Sequence, residues 1–399
     1  MDKQLEWIIH MDKTYYVHVF GNRIPVAFTH GKGVYLFSTD EKRYMDLLGG
    51  VAVNCVGHAN PRLVRAISSQ ARKLIHCSSH YYIEGQSELS RVLIQKSFAD
   101  RAFLCNSGAE ANEAALKLAR AYFYKKGAPR TKIITALDSF HGRTLATATA
   151  TGQEKYSKPF APLPEGFVHV PFNDLEAMRA AIDGDTCAVM LELIQGESGV
   201  IPANLEYIKG VRELCTETGA LLILDEVQTG IGRTGTFFAY EQFGIIPDIL
   251  TSAKGLAGGV PIGAMLATED ASSGFEPGDH GSTFGGNPLA SAAALAVLQE
   301  IDQRELMQRT KMVGDYIMKK LRQIENKTGS IKDIRGMGLL IGIELSSPQA
   351  VAVRNKCFEA GYLVNAIGAS VIRIAPPLIL TKRQASSFLS AFSQILSSM

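Results

Sequence analysis

The sequence predicts an α/β protein, with a large domain built on a mostly parallel sheet covered by helices and a smaller α+β domain after it. Three observations carry this. From about Pro61, short apolar runs alternate with segments of helical period, the pattern of parallel strands joined by crossover helices. After "GNPLASAAALAVLQEI" the order changes to two helical patterns and then paired strands around a Gly-rich turn. With 399 residues, 46% of them hydrophobic, the chain is long enough to fill more than one core. The divisions fall near residues 50 and 285: residues 1–50 form a segment packing with the small domain, 51–285 the large domain and 286–399 the small domain.

Taken in order, the first fifty residues read as irregular and strand-rich, since "IPVAFTHGKGVYLFSTDEKRYMDLL" alternates and turns at Gly31, Gly33 and Asp40. "PRLVRAISSQARKLIH" has helical period and begins with Pro61, a residue suited to a first helical turn. "GQSELSRVLIQKSF" is a second helix. Then "RAFLCN" leads into the helix "AEANEAALKLARAYFYKKG", "KIITAL" into "SFHGRT", and "CAVMLEL" into "IQGESG". The helix "LEYIKGVRELCTETG" precedes "GALLILD", and "DILTSAK" follows. In the last hundred residues, "SIKDIRGMGLLIGIEL" reads as two strands, "SPQAVAVRNKCFEAG" as a helix, and "YLVNA" and "VIRIAPPLIL" as strands. The final helix opens on "TKRQ", a capping box with Thr381 as N-cap.

Composition excludes several classes of function. Lys plus Arg is 41 against 39 for Asp plus Glu, with no long charged block, so nothing points to nucleic acid or a membrane surface as partner. No apolar run reaches the length of a membrane span, and the N-terminus lacks the apolar region of a secretory signal. Six cysteines without a C-x-x-C spacing, most in apolar surroundings, predict free thiols in a reducing cytoplasm. No metal site is expected, because the histidines show no ligand spacing.

In a parallel α/β sheet, ligands bind beyond the carboxyl ends of the strands, so the residues delivered there are the candidates for chemistry. "RAFLC" delivers Ser107 and Gly108 at the start of a helix, where free N–H groups suit a phosphate; a plain helix cap explains this segment equally well. "GALLIL" delivers Asp225, either a loop cap or the partner of a protonated ring nitrogen. "DILTSA" delivers Lys254 among small and apolar residues, a setting that lowers an amine pKa and makes it nucleophilic. "KIITAL" leads to Phe140, His141 and Arg143, and "CAVMLEL" to Gln195 and Glu197. A phosphate cradle, a carboxylate and a lysine in a low-dielectric setting are together what pyridoxal phosphate requires.

A rival signal is "GIGRTG" at Gly230–Gly235, which spells the dinucleotide-binding G-x-G-x-x-G. Its context is wrong. "DEVQT" separates it from the strand, and the segment after Gly235 is aromatic and broken by Gly244 and Pro247 rather than helical.

These motifs, with "GVAVNCVGHANP", "NSGAEANEAALKLAR", "SFHGRTLATATATGQEKY", "LELIQGESGV", "LLILDEVQTGIGRTG", "DILTSAKGLAGGVPIGA", "STFGGNPLA" and "IRGMGLLIGIEL", resemble the class III aminotransferases from about Ile24 to the C-terminus. Within that class the chain is most similar to the acetylornithine aminotransferases. The resemblance implies a fold type I pyridoxal-phosphate enzyme with a seven-stranded sheet. It implies amino transfer between the δ-amine of N2-acetylornithine and 2-oxoglutarate in arginine biosynthesis, with other ω-amines as alternatives: ornithine, succinylornithine, acetyllysine-type compounds or 4-aminobutyrate. Lys254 would carry the cofactor covalently and move the proton. Asp225 would pair with the pyridine nitrogen, Gln228 with the ring hydroxyl, and Val227 and Phe140 would enclose the ring. Ser107 and Gly108 would bind the phosphate, and Thr283 would reach it from the other subunit of a homodimer. Arg143 would bind a substrate carboxylate, with Ser282 nearby from the other subunit, and Glu197 and Arg373 would form a gate. Without the resemblance, Arg373 reads as a surface residue of an edge strand. The chain departs from the class pattern ahead of Ile24, where "MDKTYYVHVFGN" matches loosely, and at Ser38 and Glu41.

Overall fold

The strands predicted between residues 101 and 252 join one sheet, because their side chains are apolar on both faces and must be covered on both. The structure, a computed structural model, describes residues 2–21 and 23–399. The sheet has seven strands in the order Arg101–Cys105, Gly263–Ala267, Ile249–Ser252, Leu221–Asp225, Thr186–Glu192, Lys132–Ala136 and Phe167–Val170. All run parallel except Gly263–Ala267, which is antiparallel to both neighbours. Every residue of Thr186–Glu192 and Leu221–Asp225 is buried. Asp225 lies opposite Glu192 on one side and Thr251 on the other, so the central strands end level with one another. That alignment gathers the loops after residues 105, 136, 192, 225 and 252 at one edge.

The helix Gly108–Lys125 packs over the sheet through Ala111, Ala114, Ala115, Leu118 and Ala119, small side chains that let it lie close. Asn60 caps the helix Pro61–Ala71 by accepting from Arg62 N and Leu63 N, with Pro61 in its first turn. The apolar helix Pro288–Gln303 packs on that helix, on Glu84–Gln95 and on the turn Lys254–Ala257. Downstream, Ile331–Met337, Leu340–Leu345, Val371–Ile374 and Asn365–Ile367 form a four-stranded sheet in that order. Arg373 is paired with Gly342 on one side and Asn365 on the other, so it sits on an inner strand and is buried. The reading of an exposed edge residue is thereby corrected. Tyr362–Leu363 instead pairs with Arg43–Asp46, tying the N-terminal hairpin to the C-terminal part of the chain.

The main miss lies at the N-terminus. Lys3–Tyr15 is a helix, not irregular chain, capped by Asp2 accepting from Gln4 N at 3.1 Å. Only Leu5 of this helix is buried, so its sequence carries almost no apolar period to read. Two sheet strands, Phe167–Val170 and Gly263–Ala267, were also not anticipated from pattern.

The "GIGRTG" segment is a series of tight turns, with Gly232 at φ 82° and Gly235 at φ 102°, and no helix opens at its end. Its anchor is Glu226, buried, whose carboxylate accepts from Ala239 N at 2.6 Å, Tyr240 N at 2.8 Å and Thr229 Oγ1 at 3.0 Å. Burial raises this carboxyl from 4.5 to about 7, against the lowering effect of those hydrogen bonds. The folded chain therefore keeps a proton that the unfolded chain releases above its own lower pKa. Stability from this group is highest below pH 4.5 and declines as pH rises to about 7, a change on the order of 3 kcal/mol. Thermal melting of wild type from pH 5 to pH 8 should show this decline, and the Glu226→Gln profile should be flatter; parallel profiles would contradict the assignment.

Candidate active site

A cavity of about 370 Å³ opens where the strand ends converge. Its wall includes Ser107, Gly108, Phe140, Arg143, Glu197, Asp225, Val227, Gln228 and Lys254, nine of the twelve residues singled out from sequence. His141, Asn112 and Glu192 line it as well. Arg373 lies just behind Glu197 and Gln228. Within one chain, Thr283 is exposed and outside the wall, and Ser282 is held beside it through Asn106 Nδ2, 3.2 Å from Ser282 Oγ.

At the anion end, Ser107 Oγ accepts from Glu110 N at 3.2 Å and caps the helix Gly108–Lys125. Glu110 does not return the cap, since it accepts from Asn106 N and Nδ2 rather than from Ser107 N. The N–H groups of Gly108 and Ala109 make no hydrogen bond among the described residues and face the cavity end of the helix dipole. A Cβ on Gly108 would meet Val227 Cγ1 at 2.7 Å and Cγ2 at 2.8 Å, so only glycine lets the helix start approach the Val227 wall this closely.

Asp225 is 4% exposed, and both its oxygens are occupied. Oδ1 accepts from Val227 N at 3.0 Å; Oδ2 accepts from Asn112 Nδ2 and faces His141 Nδ1, each at 2.8 Å. Asn112 is fixed in turn by Thr251 Oγ1 at 2.6 Å and by its own bond to the His141 carbonyl at 2.7 Å. Burial depresses the His141 imidazole, but the Asp225 carboxylate, with Glu192 behind it, outweighs burial and raises the pKa. The sequence reading placed Asp225 and brought His141 to the same strand ends, but missed Asn112. Asn112 stands four residues after Gly108 on the same helix, a spacing that aims it at the same strand ends.

Glu192 was also missed, although it ends its strand inside the noted segment "CAVMLEL". Its Oε1 accepts from Phe140 N at 2.8 Å and its Oε2 from Gly196 N at 3.2 Å. Burial raises this carboxyl; the charge of His141 opposes the rise and that of Asp225 adds to it. Glu192 thus fixes both the Phe140 loop and the backbone next to Glu197.

Lys254 follows directly on the strand Ile249–Ser252, with a left-handed φ of 36°. Burial lowers its pKa; Glu197 opposes this and Arg373 reinforces it. A second charged group sits beside it. Arg373 Nη1 donates to Glu197 Oε1 at 2.7 Å, to the Gly196 carbonyl at 2.9 Å and to Gln228 Oε1 at 3.3 Å. Gln228 Nε2 donates to Glu197 Oε1 at 3.1 Å, closing a triangle. Burial pushes the Glu197 carboxyl up, but the Arg373 charge and hydrogen bond hold it below its ordinary value. Arg143, in contrast, forms no ion pair among the described residues.

A model of the family Aminotransferase class-III matches residues 16–396. The chain belongs to the class III aminotransferases. It is 48% identical over 391 residues to the acetylornithine aminotransferase of Caldanaerobacter subterraneus subsp. tengcongensis, covering 98% of this chain and 99% of that one. It is 50% identical over 365 residues to acetylornithine aminotransferase 1 of Bordetella bronchiseptica, covering 91% and 93%. Among solved structures, the ornithine aminotransferase of Toxoplasma gondii ME49 matches with a TM-score of 0.95 at 33% identity, covering 100% of this chain and 96% of that one. The acetylornithine aminotransferase of Elizabethkingia anophelis matches with 0.90 at 34% identity over the whole of both chains.

The protein is therefore an aminotransferase dependent on pyridoxal phosphate. Its cavity fits that cofactor: unbonded N–H groups for a phosphate, apolar Val227 and Phe140 for a ring, a buried carboxylate for a ring nitrogen, and an amine of lowered pKa. If the Gly108–Val227 approach shapes the phosphate end, Gly108→Ala should weaken pyridoxal-phosphate affinity by about tenfold, the scale of a locally overpacked contact. Titration of the apoenzyme followed by cofactor absorbance checks this. Adding Val227→Ala should restore part of the loss by making room.

Proposed function

We propose that this aminotransferase exchanges the δ-amine of N2-acetylornithine with the oxo group of 2-oxoglutarate, giving N-acetylglutamate 5-semialdehyde and glutamate. In the biosynthetic direction glutamate is the donor, which points to arginine synthesis. The observation that carries the reading is the pair of buried Arg373 with half-buried Glu197, next to an Arg143 that has no ion-pair partner among the described residues. The enzyme must accept two substrates of different charge in turn. Acetylornithine offers one carboxylate, which Arg143 holds while Glu197 neutralises Arg373. Glutamate offers two, so Glu197 moves aside, Arg373 takes the α-carboxylate and Arg143 the side-chain carboxylate. Arginine suits both positions because its planar fork pairs bidentately with a carboxylate. The names of the relatives at 48% and 50% identity support the same substrate.

Pyridoxal phosphate, when bound, supplies the electron sink for the carbanion formed at the substrate carbon that bears the nitrogen. In this reading Ser107 and Gly108 bind its phosphate, Val227 and Phe140 flank its ring, and Gln228 meets its ring hydroxyl. Asp225, fixed in place by Asn112 and His141, would hold the proton on the ring nitrogen. Lys254 Nζ, made less basic by burial, takes the proton from the substrate carbon and returns it. The proposal includes a homodimer in which Thr283 and Ser282 complete the site of the other subunit. Support comes from exposed apolar side chains at Leu74, Ile75, Tyr81, Tyr82 and Phe284, the last adjacent to Thr283 and tilted against His76 at 5.4 Å. The six free cysteines, five of them buried, accord with a cytoplasmic location. The functional division at residues 50 and 285 belongs to the same reading.

A second reading is an ornithine aminotransferase, favoured by the TM-score of 0.95 to the Toxoplasma gondii enzyme. Steady-state kinetics on acetylornithine, ornithine, succinylornithine, acetyllysine and 4-aminobutyrate separate the two, and acetylornithine should have the highest kcat/KM. Holoenzyme should show a visible absorption band that is lost, together with activity, in Lys254→Ala; a band that survives removes Lys254 from its role. Glu197→Ala should leave Arg373 unneutralised, and kcat/KM for acetylornithine relative to glutamate should fall by about tenfold or more. An unchanged ratio would eliminate the gate.

A further inference from the structure

We propose that Tyr156 is a positioning residue for Arg143, an aromatic shelf that holds the guanidinium in place between substrates while leaving its N–H groups free for a carboxylate. This rests on the functional reading above, in which Arg143 is the carboxylate-binding arginine for both half-reactions. A flexible arginine at a cavity mouth needs something to fix it, and a carboxylate partner would compete with the substrate. Arg143 has no such partner among the described residues, nor any hydrogen bond from its side chain. Its guanidinium carbon lies instead over the ring of Tyr156, 4.1 Å from the centroid, and 5.4 Å from the centroid of Phe140. A cation over a ring face is attracted to the ring's quadrupole without using a hydrogen-bond donor.

The shelf is itself fixed. Tyr156 ends the short 3₁₀ turn Glu154–Tyr156 and meets Phe140 edge to face, with centroids 5.7 Å apart and an interplanar angle of 85°. Phe140 N is held by Glu192. Glu192, Phe140, Tyr156 and Arg143 thus form one line of support from the buried end of the central sheet to the cavity wall. Lys155 Nζ, 4.7 Å from the same centroid, adds a second cation on the approach of an anionic substrate. The Tyr156 hydroxyl makes no hydrogen bond among the described residues, so the proposal rests on the ring, not the hydroxyl.

The test uses holoenzyme. Tyr156→Leu should raise KM for acetylornithine and for 2-oxoglutarate by about 3- to 10-fold with kcat within about twofold, the range of a partly exposed cation–π contact. Tyr156→Phe should match wild type in both constants. The visible absorption band should be unchanged in both variants. The single-turnover rate with pentylamine, which has no carboxylate, should also be unchanged. A Tyr156→Leu enzyme with unchanged KM values overturns the proposal. So does equal slowing of pentylamine and acetylornithine, or a Tyr156→Phe variant as impaired as Tyr156→Leu. If Tyr156→Leu does not fold, Tyr156→Met fills similar volume without a ring and is read in the same way. Should wild type prefer ornithine to acetylornithine, the substrate reading fails while this test still runs on 2-oxoglutarate, whose carboxylate Arg143 meets in either case.

Discussion

A carboxylate buried at the end of the central strand governs the layout of the site. A carboxylate buried without partners is costly, and Asp225 is buried among donors. Its two oxygens take three bonds: from the backbone two residues on, from Asn112 on the covering helix and from His141 on the neighbouring loop. Each partner comes from a different element, so the same bonds that satisfy the carboxylate also fix the helix start, the Phe140–Arg143 loop and the turn into Val227. Removing Asp225 would release three walls of the cavity together.

Like charges are close by, and the structure separates their behaviour. Glu192 lies opposite Asp225 in register, yet it receives only backbone N–H groups, and burial drives it toward the neutral form. Glu197 faces Arg373 and is held ionised. Glu192 and Glu197, two carboxyls of one cavity wall, therefore shift in opposite directions according to what faces each. Lys254 sits among them with its basicity reduced by burial, as the proposed role of nucleophile and proton carrier would require.

Much of this was legible in the sequence because position in a parallel sheet is a strong constraint. Asp225, Lys254 and Ser107 could be placed at strand ends from apolar runs alone, and nine residues named in advance line one cavity. The supports were not legible. Asn112 looks like one more polar residue on a helix, and Glu192 like the end of a strand; what distinguishes them is a partner 113 positions away for Asn112 and 52 for Glu192. The burial of Arg373 was hidden for a related reason. "VIRIAPP" alternates as an edge strand would, and only the pairing of Arg373 with both Gly342 and Asn365 places it inside. The N-terminal helix went unseen because a helix with one buried residue has no stripe to detect.

The loop from Asp225 to Gly235 links the two tasks of the site. Gln228, three residues after Asp225, donates to Glu197 and accepts from Arg373, so it touches both members of the gate. Five residues later Arg233 is buried and donates to the carbonyls of Leu339 and Pro376, the latter three positions beyond Arg373. The strand that carries Arg373 is thereby bolted to the loop that carries Asp225. Close-packed interiors transmit such displacements rather than absorb them. A substrate carboxylate that replaced Glu197 at Arg373 would break the bond that Gln228 shares with both, and Gln228 would have to find another acceptor. In the proposed reading, recognition of the second carboxylate and contact with the cofactor ring would not be separable, because one amide side chain would serve both.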